Sequence, residues 1–140
     1  MKQTISTAAA MFLLTVTCAQ AQDGPVGIAF VQAPEQGSGV ATGPNPIVAF
    51  ERARAQCMES GAAESDCLRT NWCYPANWSI DIFAQHREGI HWHEIVCGLH
   101  SESAARATAE AICNMEEREF LIECSLVQLY DPTGNAMIEY

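Results

Sequence analysis

Residues 49–57 read AFERARAQC, and residues 105–113 read ARATAEAIC. In each stretch two alanines and a cysteine recur every four residues, which places all three on one side of an α-helix. Each cysteine is followed about ten residues later by another, Cys67 or Cys124, where a strand-like run begins. The two stretches therefore predict the same unit twice: a helix that lies close to a sheet and is joined to the next strand by a disulfide.

A hairpin precedes each helix in this interpretation. The segments predicted as strands are residues 27–31, 38–42, 67–73, 79–84, 90–97 and 120–130. The pattern predicts an α+β fold of two pseudo-repeated ββαβ units, about residues 26–73 and 78–130, with an antiparallel-rich sheet packed by two helices and stapled by disulfides. The alternative is two unrelated amphipathic helices that happen to share small residues.

Local signals set the ends of the helices. Asn45 followed by Pro46 is typical of a helix N-terminus, and Gly61 is a natural residue to follow the last turn. Ser101 or Ser103 is expected to cap the second helix.

The last strand and the C-terminus carry further expectations. Ile122, Cys124 and Leu126 are expected to face the second helix, and the residues after the turn at 131–134 to form a loose tail. Val127 and Leu129 would then point outward, which favours cover on both faces of the sheet, with a second protomer in a homodimer as one source of that cover.

The N-terminus has the features of a signal peptide. Lys2 supplies a positive charge, residues 8–16 are small and apolar, and Ala19-Gln20-Ala21 is a cleavage signal. We expect residues 1–21 to be removed, leaving residues 22–140 as a single domain that is periplasmic or secreted in a bacterium. Cys18 raises the alternative of a lipoprotein signal, but Thr17 before it is bulkier than the residue such sites usually have.

Removal of Cys18 leaves six cysteines, an even number that is typical of a disulfide framework in an exported chain. The repeat predicts the bonds Cys57–Cys67 and Cys113–Cys124, and Cys73–Cys97 is then left to join the two units. The chain contains no C-x-x-C pair, which disfavours a zinc site built from cysteines.

The chain is strongly acidic, with a formal charge of −10. Its only lysine leaves with the signal peptide, so six arginines then face seventeen acidic residues and the charge becomes −11. This balance disfavours binding to nucleic acid or to an anionic membrane surface. It would attract a basic protein, although acidity also serves simply to keep an exported protein soluble.

The pattern resembles a family of bacterial exported proteins filed as domain of unknown function 4189. The residues that carry the resemblance are Gly27-Ile28-Ala29, then Ala49, Ala53 and Cys57 with Cys67, and in the second unit Ala105, Ala109 and Cys113 with Cys124. The second hairpin departs from the family, because it has charged and histidine residues in place of a glycine-rich aromatic turn. The resemblance implies the fold and export, and it implies no activity.

His91-Trp92-His93 is the sharpest local motif. In a strand the two histidines project from the same face, about 7 Å apart. Such a pair can share Zn²⁺ or Cu²⁺, with further ligands from His86, Glu94 or His100, and no other cofactor is predicted. The alternative is that these histidines face solvent or pack against neighbouring side chains.

Aromatic side chains are expected to cluster where the two units meet. Trp72 is expected in the core, while Trp78, Trp92 and Tyr74 are predicted to form a recognition surface. The alternative for Trp78 and Trp92 is burial in the core where the two units meet. No catalytic residues are predicted. The leading hypothesis is a non-enzymatic protein-binding module of the cell envelope, such as an inhibitor or immunity-type protein against a basic envelope enzyme, for example a muramidase. The alternatives are a periplasmic metal-binding protein that uses the strand histidines and a structural envelope protein that self-associates.

Overall fold

The computed structural model describes residues 24–138, so the predicted signal peptide and its cleavage site lie outside the described residues. The elements in chain order are β1 (Gly27–Ala33), β2 (Gly37–Gly43), α1 (Pro46–Glu59), β3 (Leu68–Cys73), β4 (Trp78–His86), β5 (His91–Leu99), α2 (Glu102–Ile112) and β6 (Leu121–Tyr130). A single 3₁₀ turn, Glu64–Asp66, precedes β3. Within this part of the chain, neither α-helix is both long enough and apolar enough to cross a membrane.

The strands form two antiparallel three-stranded sheets with the same topology. Their orders are β2-β1-β3 and β5-β4-β6. In both units the first strand is central, its hairpin partner lies on one side, and the strand after the helix lies on the other. The α+β class with two ββαβ units is therefore confirmed, and each unit has a sheet and a helix of its own.

The helix ends follow the local sequence signals. The Asn45 Oδ1 atom accepts a hydrogen bond from the Val48 N–H at 3.0 Å, and Ser101 Oγ accepts one from the Ala104 N–H at 3.1 Å. Ser101 is therefore the cap of α2. Gly61, just beyond α1, has a φ of 105°, which lies in the left-handed region that favours glycine.

Small residues bring α1 against its sheet, as the alanine stripe predicts. Ala49, Ala53 and Cys57 are the buried residues of this helix. The contact is so close that a Cβ atom at Gly39 would lie 1.8 Å from the Ala53 carbonyl oxygen. In the second unit the buried residues of α2 are Ala105 and Ala109, which fill the same role.

Three disulfides close the structure in the predicted pairing. Cys57–Cys67 and Cys113–Cys124 each join a helix end to the strand region that follows, with Cα–Cα distances of 6.1 and 5.3 Å. Cys73–Cys97 joins the end of β3 to β5 with a Cα–Cα distance of 5.8 Å. Each unit is therefore closed on itself, and the third bond ties the two units together.

The faces of the two sheets that point away from the helices pack against each other. Ile28, Phe30 and Ala76 are buried there, with Ile95 and Tyr130 packed against them. The Phe30 and Tyr130 rings meet edge to face, with centroids 5.6 Å apart. The layers therefore run helix, sheet, sheet, helix, and residues that alternate along one strand serve two different cores.

Two expectations for β6 are wrong because its register shifts. Ile122 is 60% exposed, whereas Leu121 is buried, since the pairing of β4 with β6 slips between Gln85 and His86. A second slip places an extra residue in β6, so that Leu126 and Leu129 both pack against the α2 core. Leu129 is fully buried by its own chain, so it needs no second protomer to cover it.

The C-terminal residues up to 138 are also ordered against β6, contrary to the expected loose tail. Ala136 forms an isolated bridge with Tyr130, and the Met137 N–H donates to the Leu129 carbonyl at 2.8 Å. The Ile138 side chain packs against the α2 core. This segment therefore packs along the C-terminal end of β6.

Candidate functional site

A cleft opens between the two units at the tip of the first hairpin. Its volume is about 460 Å³. One wall is the turn between β1 and β2, residues 32–38, and the other consists of residues from β4 and β5, namely Asp81, Phe83, His91, Trp92 and His93. The cleft therefore exists only because the two units pack against each other.

Strand alternation decides which side chains reach the cleft. Along β4, Ile80 and Ile82 belong to the α2 core, so Asp81 and Phe83 project from the opposite face toward the first unit. On β5, His93 lies opposite Phe83, and His91 lies two residues before it on the same face. The sequence prediction that the two histidines share a face is consistent with this register.

Asp81 and His93 form the centre of the site. The Asp81 Oδ1 atom lies 2.8 Å from His93 Nδ1. Asp81 is 9% exposed, whereas the His93 side chain is 43% exposed. Burial raises the pKa of the Asp81 carboxyl above its usual range, and the hydrogen bond and charge of His93 offset only part of that effect. Asp81 is thus a largely desolvated carboxyl group at the wall of an open cleft.

The second oxygen of this carboxyl group faces no protein donor. Within residues 24–138, Asp81 Oδ2 accepts no hydrogen bond and takes part in no ion pair. This oxygen keeps access to solvent, because among the described residues the buried side-chain polar atom without a partner is Ser79 Oγ. The cleft wall therefore carries an acceptor that a ligand can use.

Phe83 and Glu35 complete the polar and aromatic lining. The Phe83 ring centroid lies 5.7 Å from the His91 ring and 5.7 Å from the His93 ring. Glu35, at the tip of the hairpin turn, has a φ of 60° and places its Oε1 atom 3.8 Å from His91 Nε2. This contact crosses the mouth of the cleft from one unit to the other.

The structure does not assemble the metal ligands that the sequence suggested around the two histidines. His86 stacks on Phe120, and Glu94 pairs with Arg118. The exposed His100 follows β5, at the other end of that strand from His91. Among the described residues, no group of three or more His, Cys, Asp and Glu side chains has the geometry to hold a metal ion.

The three aromatic residues predicted to bind a partner are not in one place. Tyr74 is 56% exposed beyond β3, while Trp78 is half-buried against the α2 core. Trp92 lies opposite Ala84, six residues along β4 from Trp78, or roughly 20 Å away. Its Nε1 atom donates to Glu94 Oε1 at 2.9 Å. Of the three, only Trp92 lines the cleft.

Sequence reasoning missed Asp81, Phe83 and Glu35. A signal for the first two was present, because Ile80-Asp81-Ile82-Phe83 places a carboxylate and an aromatic ring on the face of a strand opposite two isoleucines. Nothing in the sequence indicated that the first hairpin would reach this face, since that contact depends on how the two sheets pack.

The arginines are occupied by contacts within the chain. Their partners are the Thr42 carbonyl for Arg52, Glu64 for Arg54, the Phe50 ring for Arg69, the Glu119 carbonyl for Arg87, Glu102 for Arg106 and Glu94 for Arg118. Among the described acidic side chains, three receive an arginine in this way. The described surface therefore presents carboxylates well in excess of the positive charge near them.

Comparison with known protein families, with curated proteins and with solved structures finds no significant match to this chain.

Proposed function

We propose that the protein is a non-enzymatic binding module of the cell envelope that recognises a basic protein, as an inhibitor or immunity-type protein against a basic envelope enzyme such as a muramidase would. The observation that carries this proposal is the charge balance of the surface. Residues 24–138 contain fifteen acidic side chains and six arginines, and each arginine already has a partner within the chain. Such a surface attracts a cationic protein over a distance and repels anionic ones.

The rigidity of the fold supports the same role. Three disulfides connect both helices to their sheets and the two units to each other. A surface that is already ordered loses little conformational entropy when it binds, which favours affinity. The first hairpin projects beside the cleft, so a partner that docks there contacts both units at once.

The test is binding of a purified basic muramidase to the mature protein by calorimetry at about 0.02 M and about 0.5 M salt, where screening lengths differ several-fold. We expect saturable binding that weakens at high salt. Cytochrome c, a basic protein without muramidase activity, is the control for charge alone. If neither protein binds at low salt, the proposal is wrong. If both bind equally, the partner is defined by its charge and the muramidase assignment fails.

A metal-carrying role is the second candidate, and one observation favours it. The His93 Nδ1 atom is hydrogen-bonded to the Asp81 carboxyl group. Histidines that bind a metal ion through one ring nitrogen typically make such a hydrogen bond to a carboxylate through the second ring nitrogen. Calorimetric titration with Zn²⁺ or Cu²⁺ tests this role. Stoichiometric binding that is lost when His91 and His93 are both replaced by alanine would support it, and the absence of heat in wild-type protein would remove it.

A further inference from the structure

We infer that the cleft between the two units is a binding site for a guanidinium group, which the basic partner supplies as an arginine side chain. This inference rests on the proposed function and deepens it, because it names the part of the partner that enters the cleft. It is carried by the Asp81 carboxylate, which lines an open cavity and whose Oδ2 atom has no donor among residues 24–138.

The chemistry of the lining selects a planar cation. Asp81 on one wall and Glu35 on the other are acceptors that a guanidinium can reach with its several N–H donors. The Phe83 ring, on the same wall as Asp81 and next to the His91 and His93 rings, adds an aromatic group beside which a guanidinium packs. An ammonium is a compact point charge and uses such a site less completely, so arginine is preferred over lysine.

The size of the cleft agrees with this occupant. A volume of about 460 Å³ is within the range of small-ligand sites and exceeds what one arginine side chain needs. The remaining lining, which includes Pro34, Gln32 and Gln36, leaves room for the aliphatic part of the side chain and its neighbouring backbone.

Lowering the pH should weaken the binding of a guanidinium in the cleft. The titratable groups that line it are Glu35 from the hairpin turn, Asp81 from β4, and His91 and His93 from β5. As the pH falls, a carboxyl group that becomes protonated loses the negative charge that attracts a guanidinium. Burial raises the pKa of the Asp81 carboxyl, so affinity should fall as acidification protonates this group.

The probe for this site is N-acetyl-L-arginine amide, titrated into the ¹⁵N-labelled mature protein and followed by the backbone amide shifts of Glu35, Phe83, His91 and His93. The neutral isostere N-acetyl-L-citrulline amide is the matched control. We expect saturable shifts with the arginine compound and none with the citrulline compound. Equal shifts with both, or shifts that do not involve these four amides, would overturn the inference.

Substitutions of the two cleft carboxylates test where the guanidinium binds. Asp81→Asn should weaken binding of the arginine compound at least about tenfold, and Glu35→Gln, which lies at the solvent-exposed tip of the turn, should weaken it by a smaller factor. Glu110→Gln, an exposed change on α2, should leave binding unchanged. If Asp81→Asn fails to fold, Glu35→Gln still decides the matter, because unchanged affinity in that variant would contradict the placement of the cation in the cleft.

Two further outcomes separate this inference from the proposed function. If the basic muramidase binds wild type and Asp81→Asn equally while the arginine compound does not bind, the partner proposal stands and the cleft inference fails. If free L-arginine binds and the blocked compound does not, the cleft takes a free amino acid, and the assignment to a partner's side chain is overturned.

Discussion

The Asp81 Oδ1 and His93 Nδ1 atoms lie 2.8 Å apart between neighbouring strands of the second sheet. Asp81 is buried, and His93 is the only residue of the described chain with which its carboxyl group makes a hydrogen bond or an ion pair. This pair lies in the wall of the cleft. Its contribution to the free energy of unfolding can be measured without any ligand.

Replacing His93 by alanine should lower the free energy of unfolding by about 1 kcal/mol, because the Asp81 carboxyl stays buried and loses its donor. The expected loss is modest since His93 is 43% exposed and water can replace part of the contact. Urea denaturation at neutral pH measures it. His91→Ala is the matched control, because that ring also packs on Phe83 but lies 3.8 Å from an exposed carboxylate.

The same measurement in an Asp81→Asn background completes a double-mutant cycle. There the His93→Ala substitution should cost less, since the buried charge is gone. An equal cost in both backgrounds, or a cost no larger than that of His91→Ala, would show that the pair contributes nothing specific.

Glu94 should make stability depend on pH in a defined direction. Burial acts to raise the pKa of Glu94, but hydrogen bonds from Arg118 and Trp92 and the charge of Arg118 outweigh it and lower that pKa below the usual 4.5. A carboxyl group with a lowered folded-state pKa stabilises the protein above its unfolded-state pKa and loses this effect as the pH falls through the folded-state value.

Glu94→Gln should therefore destabilise the protein by about 1 kcal/mol at neutral pH, and this difference from wild type should shrink below about pH 4.5. Urea midpoints measured from pH 7 to pH 3 provide the comparison, with Glu110→Gln as the exposed control. A wild-type advantage that stays constant down to the lowest pH would contradict the role assigned to the Arg118 contact.

The packing of α1 gives a third prediction. Ala53→Leu should overpack the contact with Gly39 and cost roughly 1–3 kcal/mol, because the backbone of β2 leaves no space for extra methylenes. Ala55→Leu is the matched control, since Ala55 is exposed on the same helix. Thermal unfolding of the two variants should separate them, and equal melting temperatures would show that the small-residue stripe is not a close contact.

Local patterns were enough to predict the repeated unit. The alanine and cysteine spacing indicated both helices and all three disulfides, and Asn45 indicated the start of α1. The predicted orientations of the Ile122 and Leu129 side chains were wrong because the pairing of β6 with β4 shifts register twice. Strict alternation of side chains along a strand does not predict a β-bulge.

The candidate site was predicted only in part, for a physical reason. The shared face of His91 and His93 follows from strand geometry, which is local. Asp81 reaches His93 through the pairing of β4 with β5, whereas Glu35 comes from the other unit and reaches His91 through the packing of the two sheets. A sequence pattern reports the face of an element but not which element will lie against that face.

The architecture that forms the cleft is closed by one disulfide within each unit and by a third that joins the two units. Peptide mapping, without reduction, of the protein purified from an oxidising compartment tests this most directly. The account predicts three cross-linked peptides, containing Cys57 with Cys67, Cys73 with Cys97, and Cys113 with Cys124. A bond from Cys57 to any other cysteine, or free thiols among these six residues in that protein, would contradict it.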